Sequence, residues 1–253
     1  SLIRKMPERH RWWLRLATAL SRQDKLVEAQ EAVEHVLHIE QNKSEARMVL
    51  GDIYSRDNRF ADALKQYDLV LQKTPDNVPA LSQKATALKT LGRQQDAIEI
   101  YQRCMQLNSQ YGEAAWSLSN LKTYRFSDEE VAHMQAALAA EGISDKSAVH
   151  FNYALGKAYE HRKDWHKAFL AYQAGNLVQK KLVNWSADDF SALVDNIIAI
   201  FTPDFVAANR NCGIDDQAPI FILGLPRSGS TLQEQILIRH PEVERTLQLT
   251  YIP

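Results

Sequence analysis

The 253-residue sequence has only two cysteines, Cys104 and Cys212, far apart and without C-x-x-C spacing. That scarcity excludes a disulfide framework, gives no zinc-site pattern and fits a reducing compartment. Charge of one sign is equally lacking, since 30 Lys and Arg stand against 31 Asp and Glu, a formal −1. No global field draws such a chain to nucleic acid or to an anionic membrane, and neither is expected as a partner. Long apolar runs are missing too. The longest, Ile197 to Phe201, is far too short to cross a bilayer, and the Arg-rich start lacks the apolar core of a secretory signal. A cytoplasmic location is expected. The first residue is Ser1 rather than Met, as in a chain that has lost an upstream segment.

What is present is periodicity. Small residues recur at Ala17, Gly51 and Ala85 and again at Ala29, Ala63 and Ala97, each 34 residues from the next. In the same register stand Leu16 and Leu50, then Leu20, Tyr54 and Leu88, then Val33, Tyr67 and Tyr101, and Pro75 closes the second unit. Small residues let two antiparallel helices approach closely, while large ones fill the gaps between successive pairs. This pattern resembles the tetratricopeptide repeat, with units at 10–43, 44–77 and 78–111. A degenerate unit follows at 112–148, where Thr123 to Phe126 interrupts the register and Ser127-Asp128-Glu129-Glu130 reads as a capping box. A fifth, at 149–182, carries Leu155-Gly156, Tyr159, Ala168 and Tyr172, with Trp165 expected to pack at the start of its second helix. Residues 1–182 thus form a repeat domain and 183–217 a helical linker. In the linker Ser186 and Thr202-Pro203 start helices, and Phe190, Leu193, Ile197, Ile198 and Phe201 make one apolar stripe.

The stretch Pro219 to Leu232 carries a different signal. Ile220 to Leu223 is a short unbroken apolar run that suits a buried parallel strand, and Gly224 to Ser230 is a loop rich in Gly, Pro and Ser. A helix opens at Ser230 or Thr231, puts Leu232, Ile236 and Leu237 on one face and ends at His240-Pro241. Strand, glycine loop and helix in that order make an anion site, because the loop amides and the positive helix end point into one space. Gly224 to Thr231 fits G-x-x-x-x-G-x-[ST], but Ser230 stands where a nucleoside triphosphatase needs Lys, so the anion is not expected to be the β,γ-phosphate of ATP.

The run P-I-F-I-L-G-L-P-R-S-G-S-T-L followed by H-P-E-V resembles the 5′-phosphosulfate loop of sulfotransferases, above all the tyrosylprotein type. With the repeats, with Leu121 to Glu130 and with Tyr153 to Tyr159, the chain is similar to the bacterial tetratricopeptide-repeat sulfotransferases. The resemblance implies a mainly α chain, a repeat superhelix followed at 218–253 by the first strand, loop and helix of an α/β sulfotransferase domain. It implies 3′-phosphoadenosine-5′-phosphosulfate (PAPS) as donor, held by Pro226, Arg227, Ser228, Gly229, Ser230 and Thr231, and a protein or peptide hydroxyl as acceptor. It also places Gln248 where relatives have a Glu, the suspected acceptor base, and Arg245 where they have a Gly. A neutral amide cannot take a proton at physiological pH. Because one strand and one helix cannot bury their own faces, the chain is expected to be a fragment without turnover. The alternative is an interaction scaffold with a vestigial nucleotide domain.

By repeat register the concave groove presents Met48, Asp52, Ser82, Thr86, Tyr153 and Lys157, and a protein or peptide is the expected partner. Chaperone-binding relatives carry Asn where Thr18, Asp52 and Thr86 stand, so a clamp for chaperone tails is disfavoured. Arg9, Arg11, Arg15 and Arg22 form a local basic cluster, either a solvated face or one that meets an acidic peptide. His35 and His38 have no third ligand at a fixed offset, and His161 and His166 fare no better, so no metal is expected. Cys104 reads as a buried filler. The scattered Trp12, Trp13, Trp116, Trp165 and Trp185 read as packing rather than as a base-stacking set.

Overall fold

The computed structural model describes residues 10–41, 43–183, 185–213, 218–224 and 228–244. Among them every regular element is an α-helix: α1 (His10–Arg22), α2 (Leu26–Ile39), α3 (Ser44–Arg56), α4 (Phe60–Lys73), α5 (Val78–Thr90), α6 (Gln94–Leu107), α7 (Gly112–Ser119), α8 (Asp128–Ala139), α9 (Asp145–His161), α10 (Trp165–Leu182), α11 (Ala187–Ile200), α12 (Pro203–Ala208) and α13 (Ser230–Leu237). No described helix is long and apolar enough to cross a membrane. Two compact units meet at Trp185 and Ser186.

The first unit is built from antiparallel helix pairs, α1 with α2, α3 with α4, α5 with α6 and α9 with α10. The small residues of the 34-residue period explain the close crossings: Ala17, Ala29, Ala63, Ala85 and Ala97 are completely buried. Val33, Tyr67 and Tyr101, four residues beyond the second small position, are completely buried as well. Each pair turns the same way. Asp24, Asn58, Gly92 and Lys163 all have positive φ, at 61°, 58°, 82° and 61°. The following amides, of Lys25, Arg59, Arg93 and Asp164, donate back to the carbonyls of Leu20, Tyr54, Leu88 and Tyr159 at 2.8–3.0 Å. A left-handed residue and a six-to-one bond together close the first helix of each pair and launch the second.

Successive first helices touch in order, α1 to α3, α3 to α5 and α5 to α7, and so make one continuous wall. The register breaks at α7, which ends at Ser119 and packs on both α6 and α9. The chain then turns through Leu121 and Phe126, both buried, before α8 begins. Ser127 starts that helix with a full capping box: Ser127 Oγ accepts from the Glu130 amide at 3.2 Å, and Glu130 Oε2 accepts from the Ser127 amide at 2.9 Å. The core runs on across the break, where Tyr101, Leu118, Met134 and Phe151 share one buried cluster.

Two expectations are corrected. Trp165 does not pack at the start of α10 but is 63% exposed. Trp185 is exposed too, whereas Trp13 stacks on His35 with centroids 4.2 Å apart and Trp116, 36% exposed, packs on His150 and Tyr153.

In the second unit the helix starts follow their caps, with Ser186 Oγ accepting from Asp189 N and Thr202 Oγ1 from Phe205 N, each at 3.2 Å. No described residue of this unit is buried. Ile220 to Leu223, expected as a strand, forms no β-ladder among the described residues, and Leu223 is 90% exposed. A strand exists only through a neighbour's hydrogen bonds, and no described segment offers them.

Candidate functional site

Two places gather the polar residues singled out in the sequence. The first is the wall of α1, α3, α5, α7 and α9. On α3, Asp52 accepts a hydrogen bond from the Tyr67 hydroxyl at 2.9 Å, and Ser55 Oγ lies 3.2 Å from the same oxygen. On α5, Thr86 Oγ1 sits 2.9 Å from the Tyr101 hydroxyl. On α9, Glu160 accepts from Tyr172 at 2.9 Å and from Lys157 at 3.0 Å, and Tyr153 donates to Asn176 at 2.7 Å. One device recurs: a tyrosine on the second helix of a pair reaches through to a polar residue on the first.

Asp52 and Thr86 hold this position in successive repeats. Met48 is half-buried near Asp52, and Tyr153 and Lys157 are half-buried on α9. Ser82 is 1% exposed and so lies beneath the wall rather than on it. Tyr153 and Trp116 form an aromatic corner, centroids 5.5 Å apart, where Trp116 is 36% exposed. Sequence reasoning treated Tyr67, Tyr101 and Tyr172 as packing alone and passed over Glu160 and Asn176. The recurrence of Tyr at 67 and 101, opposite Asp52 and Thr86, was the available signal.

Loss of hydration pushes the Asp52 carboxyl above its ordinary value, against the opposing hydrogen bond from Tyr67 and the Arg56 charge. The Asp52 residue as a whole is exposed. Burial pushes the hydroxyls of Tyr67, Tyr101 and Tyr172 upward, so all three remain neutral donors at physiological pH. Glu160 is pulled down by its hydrogen bond from Lys157 and then by that from Tyr172.

Elsewhere, a depression of about 490 Å³ opens between α6 and α8 beside Gln102, Tyr124, Arg125, Glu130 and His133. Tyr124 bonds Glu130 closely, and Gln102 Nε2 donates to both at 3.0 and 3.1 Å. These groups satisfy one another and tie the interrupted unit to α6. Among the described residues no three His, Cys, Asp or Glu side chains assemble a metal site. His35 and His161 are half-buried and His38 and His166 exposed. Cys104 is completely buried, its Sγ 3.8 Å from the Val78 carbonyl oxygen.

The second place is the loop before α13. Gly229 caps this helix with φ 92° and ψ 16°, a conformation open to glycine, and no side chain caps the first turn. Among the described residues no side chain takes up the first amides of α13, which leaves them as the groups a helix start offers to an anion. Gly224 lies under Ser228: a Cβ on it would stand 2.4 Å from Ser228 Oγ. Ser228, Gly229, Ser230 and Thr231 are all exposed. Pro226, Arg227, Arg245 and Gln248 lie outside the described residues.

Comparison with known sequences finds a match in each of these two parts. Residues 14–78 and 48–111 match the family model described as Tetratricopeptide repeat, and residues 219–253 match that described as Sulfotransferase family. The chain joins tetratricopeptide repeats to a sulfotransferase-family segment. An uncharacterized protein of Aquifex aeolicus (strain VF5) is 28% identical over 193 residues, 76% of this chain. The chain spans only 25% of that relative's length. Among solved structures, MamA 41-end from Desulfovibrio magneticus RS-1 is 14% identical at a TM-score of 0.49, covering 69% of this chain and 97% of its own. YrrB, described as a TPR protein with an unusual peptide-binding site, is 19% identical at 0.45, covering 71% and 91%. Within the tetratricopeptide unit the matched span covers α1 to α6, and the sulfotransferase-family segment contains the Gly224–Thr231 loop and α13.

Proposed function

We propose that the protein belongs to a PAPS-dependent sulfotransferase whose tetratricopeptide unit recruits or presents a protein or peptide acceptor through its concave wall. The observation that carries this reading is the uncapped start of α13 behind Gly229, inside the segment matched to the sulfotransferase family. Chemistry of the donor set supports the fit. An open helix start, three hydroxyls from Ser228, Ser230 and Thr231, and the Arg227 cation suit a phosphosulfate, and no acidic residue stands between Gly224 and Thr231. When bound, PAPS supplies the sulfuryl group and an adenosine bisphosphate leaving group. The loop amides and hydroxyls bind and orient the phosphosulfate, and Arg227 with the positive end of α13 balances negative charge there. Gln248 has no basic lone pair to take the acceptor proton, so another group carries the base role.

On the wall, Asp52, Thr86, Tyr153 and Lys157 offer hydrogen bonds to an extended acceptor, and Met48 and Trp116 offer apolar surface.

Calorimetry of the full-length parent with adenosine 3′,5′-bisphosphate tests the reading. Binding is expected, and Arg227→Ala should weaken it by about 1.5–3 kcal/mol through loss of a charge-assisted contact. Absence of binding would leave the chain an interaction scaffold with a vestigial nucleotide segment.

A further inference from the structure

We propose that the wall between α1 and α3 is a binding site for an extended, carboxylate-rich polypeptide segment. Arg11, Arg15, Thr18 and Arg22 follow one another at steps of four, three and four along α1, so they stand on one face of that helix. All four are exposed. With Glu45 and Val49 of α3 they line a depression of about 410 Å³.

The guanidinium groups there differ from the others in the same unit. Every other described arginine of that unit donates a hydrogen bond, from Arg47 to the Gln41 carbonyl and Gln66, through Arg56 to the Ser21 carbonyl, to Arg162 on Asp128. Arg11, Arg15 and Arg22 make no hydrogen bond or ion pair among the described residues. Arg15 Cζ lies over the Trp12 ring, 5.4 Å from its centroid, a contact with an aromatic face and not with a carboxylate. Three guanidinium forks at helical spacing, without a carboxylate partner among the described residues, match carboxylates two-pronged, and Leu14 and Val49 supply an apolar floor for their stems.

The charge pattern also selects among anions. Glu45 occupies the place in α3 that Arg11 holds in α1, one repeat earlier, and Asp52 follows on the same helix. A continuous polyphosphate backbone running along the wall would meet those carboxylates within one repeat. A peptide whose acidic residues lie at one end and whose neutral residues continue past Thr86 would not. The proposal stands apart from the phosphosulfate loop and does not depend on it.

Fluorescence anisotropy of the whole chain with a fluorescein-labelled peptide of a few Glu-Gly units followed by Ser-Gly units tests this, with the peptide that carries Gln in place of Glu as control. The acidic peptide is expected to bind at least about tenfold more tightly than the neutral one, and to lose most of that margin at about 0.5 M salt, where the Debye length is only a few ångströms. The double substitution Arg11→Glu/Arg15→Glu should abolish the preference, while Arg103→Glu, on the outer helix α6, should keep it. Circular dichroism of both variants confirms that their helices are intact. Equal binding of the two peptides, an unchanged preference in the α1 variant, or displacement of the peptide by oligothymidylate or by phosphatidylserine vesicles at lower concentration than by unlabelled peptide would each overturn the proposal.

Discussion

The ring of Tyr67 lies so tightly over Gly51 that a Cβ added to the glycine would stand 2.4 Å from Tyr67 Cε1. The fifth unit repeats the arrangement, where a Cβ on Gly156 would stand 2.4 Å from Tyr172 Cε1. Both glycines sit inside helices, where glycine costs about 1 kcal/mol relative to alanine. The close approach accounts for their presence, and it holds each tyrosine hydroxyl at the polar residue of the facing helix, Asp52 in one unit and Glu160 in the other.

Gly51→Ala is therefore expected to destabilise the protein even though alanine is the better helix former. Overpacking against a buried ring costs about 1–3 kcal/mol, which outweighs a propensity gain of about 1. Urea unfolding should show a lower midpoint. In a Tyr67→Ala background the same substitution should become neutral or stabilising by up to about 1 kcal/mol, and the difference between backgrounds measures the contact. A Gly51→Ala protein more stable than the parent would mean that the ring yields at no cost.

The repeat architecture was legible because its cause is periodic: small residues at close crossings and large ones in the gaps recur every 34 positions and are buried. The turn chemistry was equally periodic but went unread. Asp24, Asn58 and Gly92 are three residue types that tolerate positive φ, spaced by the same 34, and all three adopt it. Lys163 does so too, without belonging to that set, so its conformation follows from the hydrogen bond of Asp164 to Tyr159 rather than from its own side chain. Trp165 was misread because register gives a position within a repeat and not whether another repeat covers it. The loop was legible as a motif, through its glycines and hydroxyls. Its strand was not, because pairing is a property of two segments and the sequence shows only one.

The two cysteines should separate cleanly by reactivity. Cys104 is buried, and loss of hydration pushes its thiol up to about 12, whereas Cys212 is exposed. Since the thiolate is the nucleophile, an aromatic disulfide reagent at mild alkaline pH should titrate Cys212 quickly in the folded protein and reach Cys104 only on adding denaturant. Rapid modification of both, surviving in a Cys212→Ser variant, would contradict the buried placement of Cys104.

Two histidines should make stability fall on mild acidification. Burial depresses the His150 imidazole below its ordinary value, helped by the Lys146 charge and opposed by Glu113. At His161 burial again leads, followed by Arg125 and Lys157, with Glu160 opposing. A base with a lowered folded pKa binds its proton more readily when unfolded, so the stability it allows is complete above the unfolded value near 6.5 and is lost as pH falls below that value towards the folded one. Thermal unfolding followed by circular dichroism should show a falling midpoint between about pH 7 and 5, ahead of the window in which carboxylates such as Asp62 and Glu160, held low by their Lys partners, begin to protonate. Replacing both with Gln should flatten the upper window and leave the lower one intact. A midpoint that stays constant or rises from pH 7 to 5 in the parent would show that these rings gain as much from their surroundings when charged as they lose in hydration.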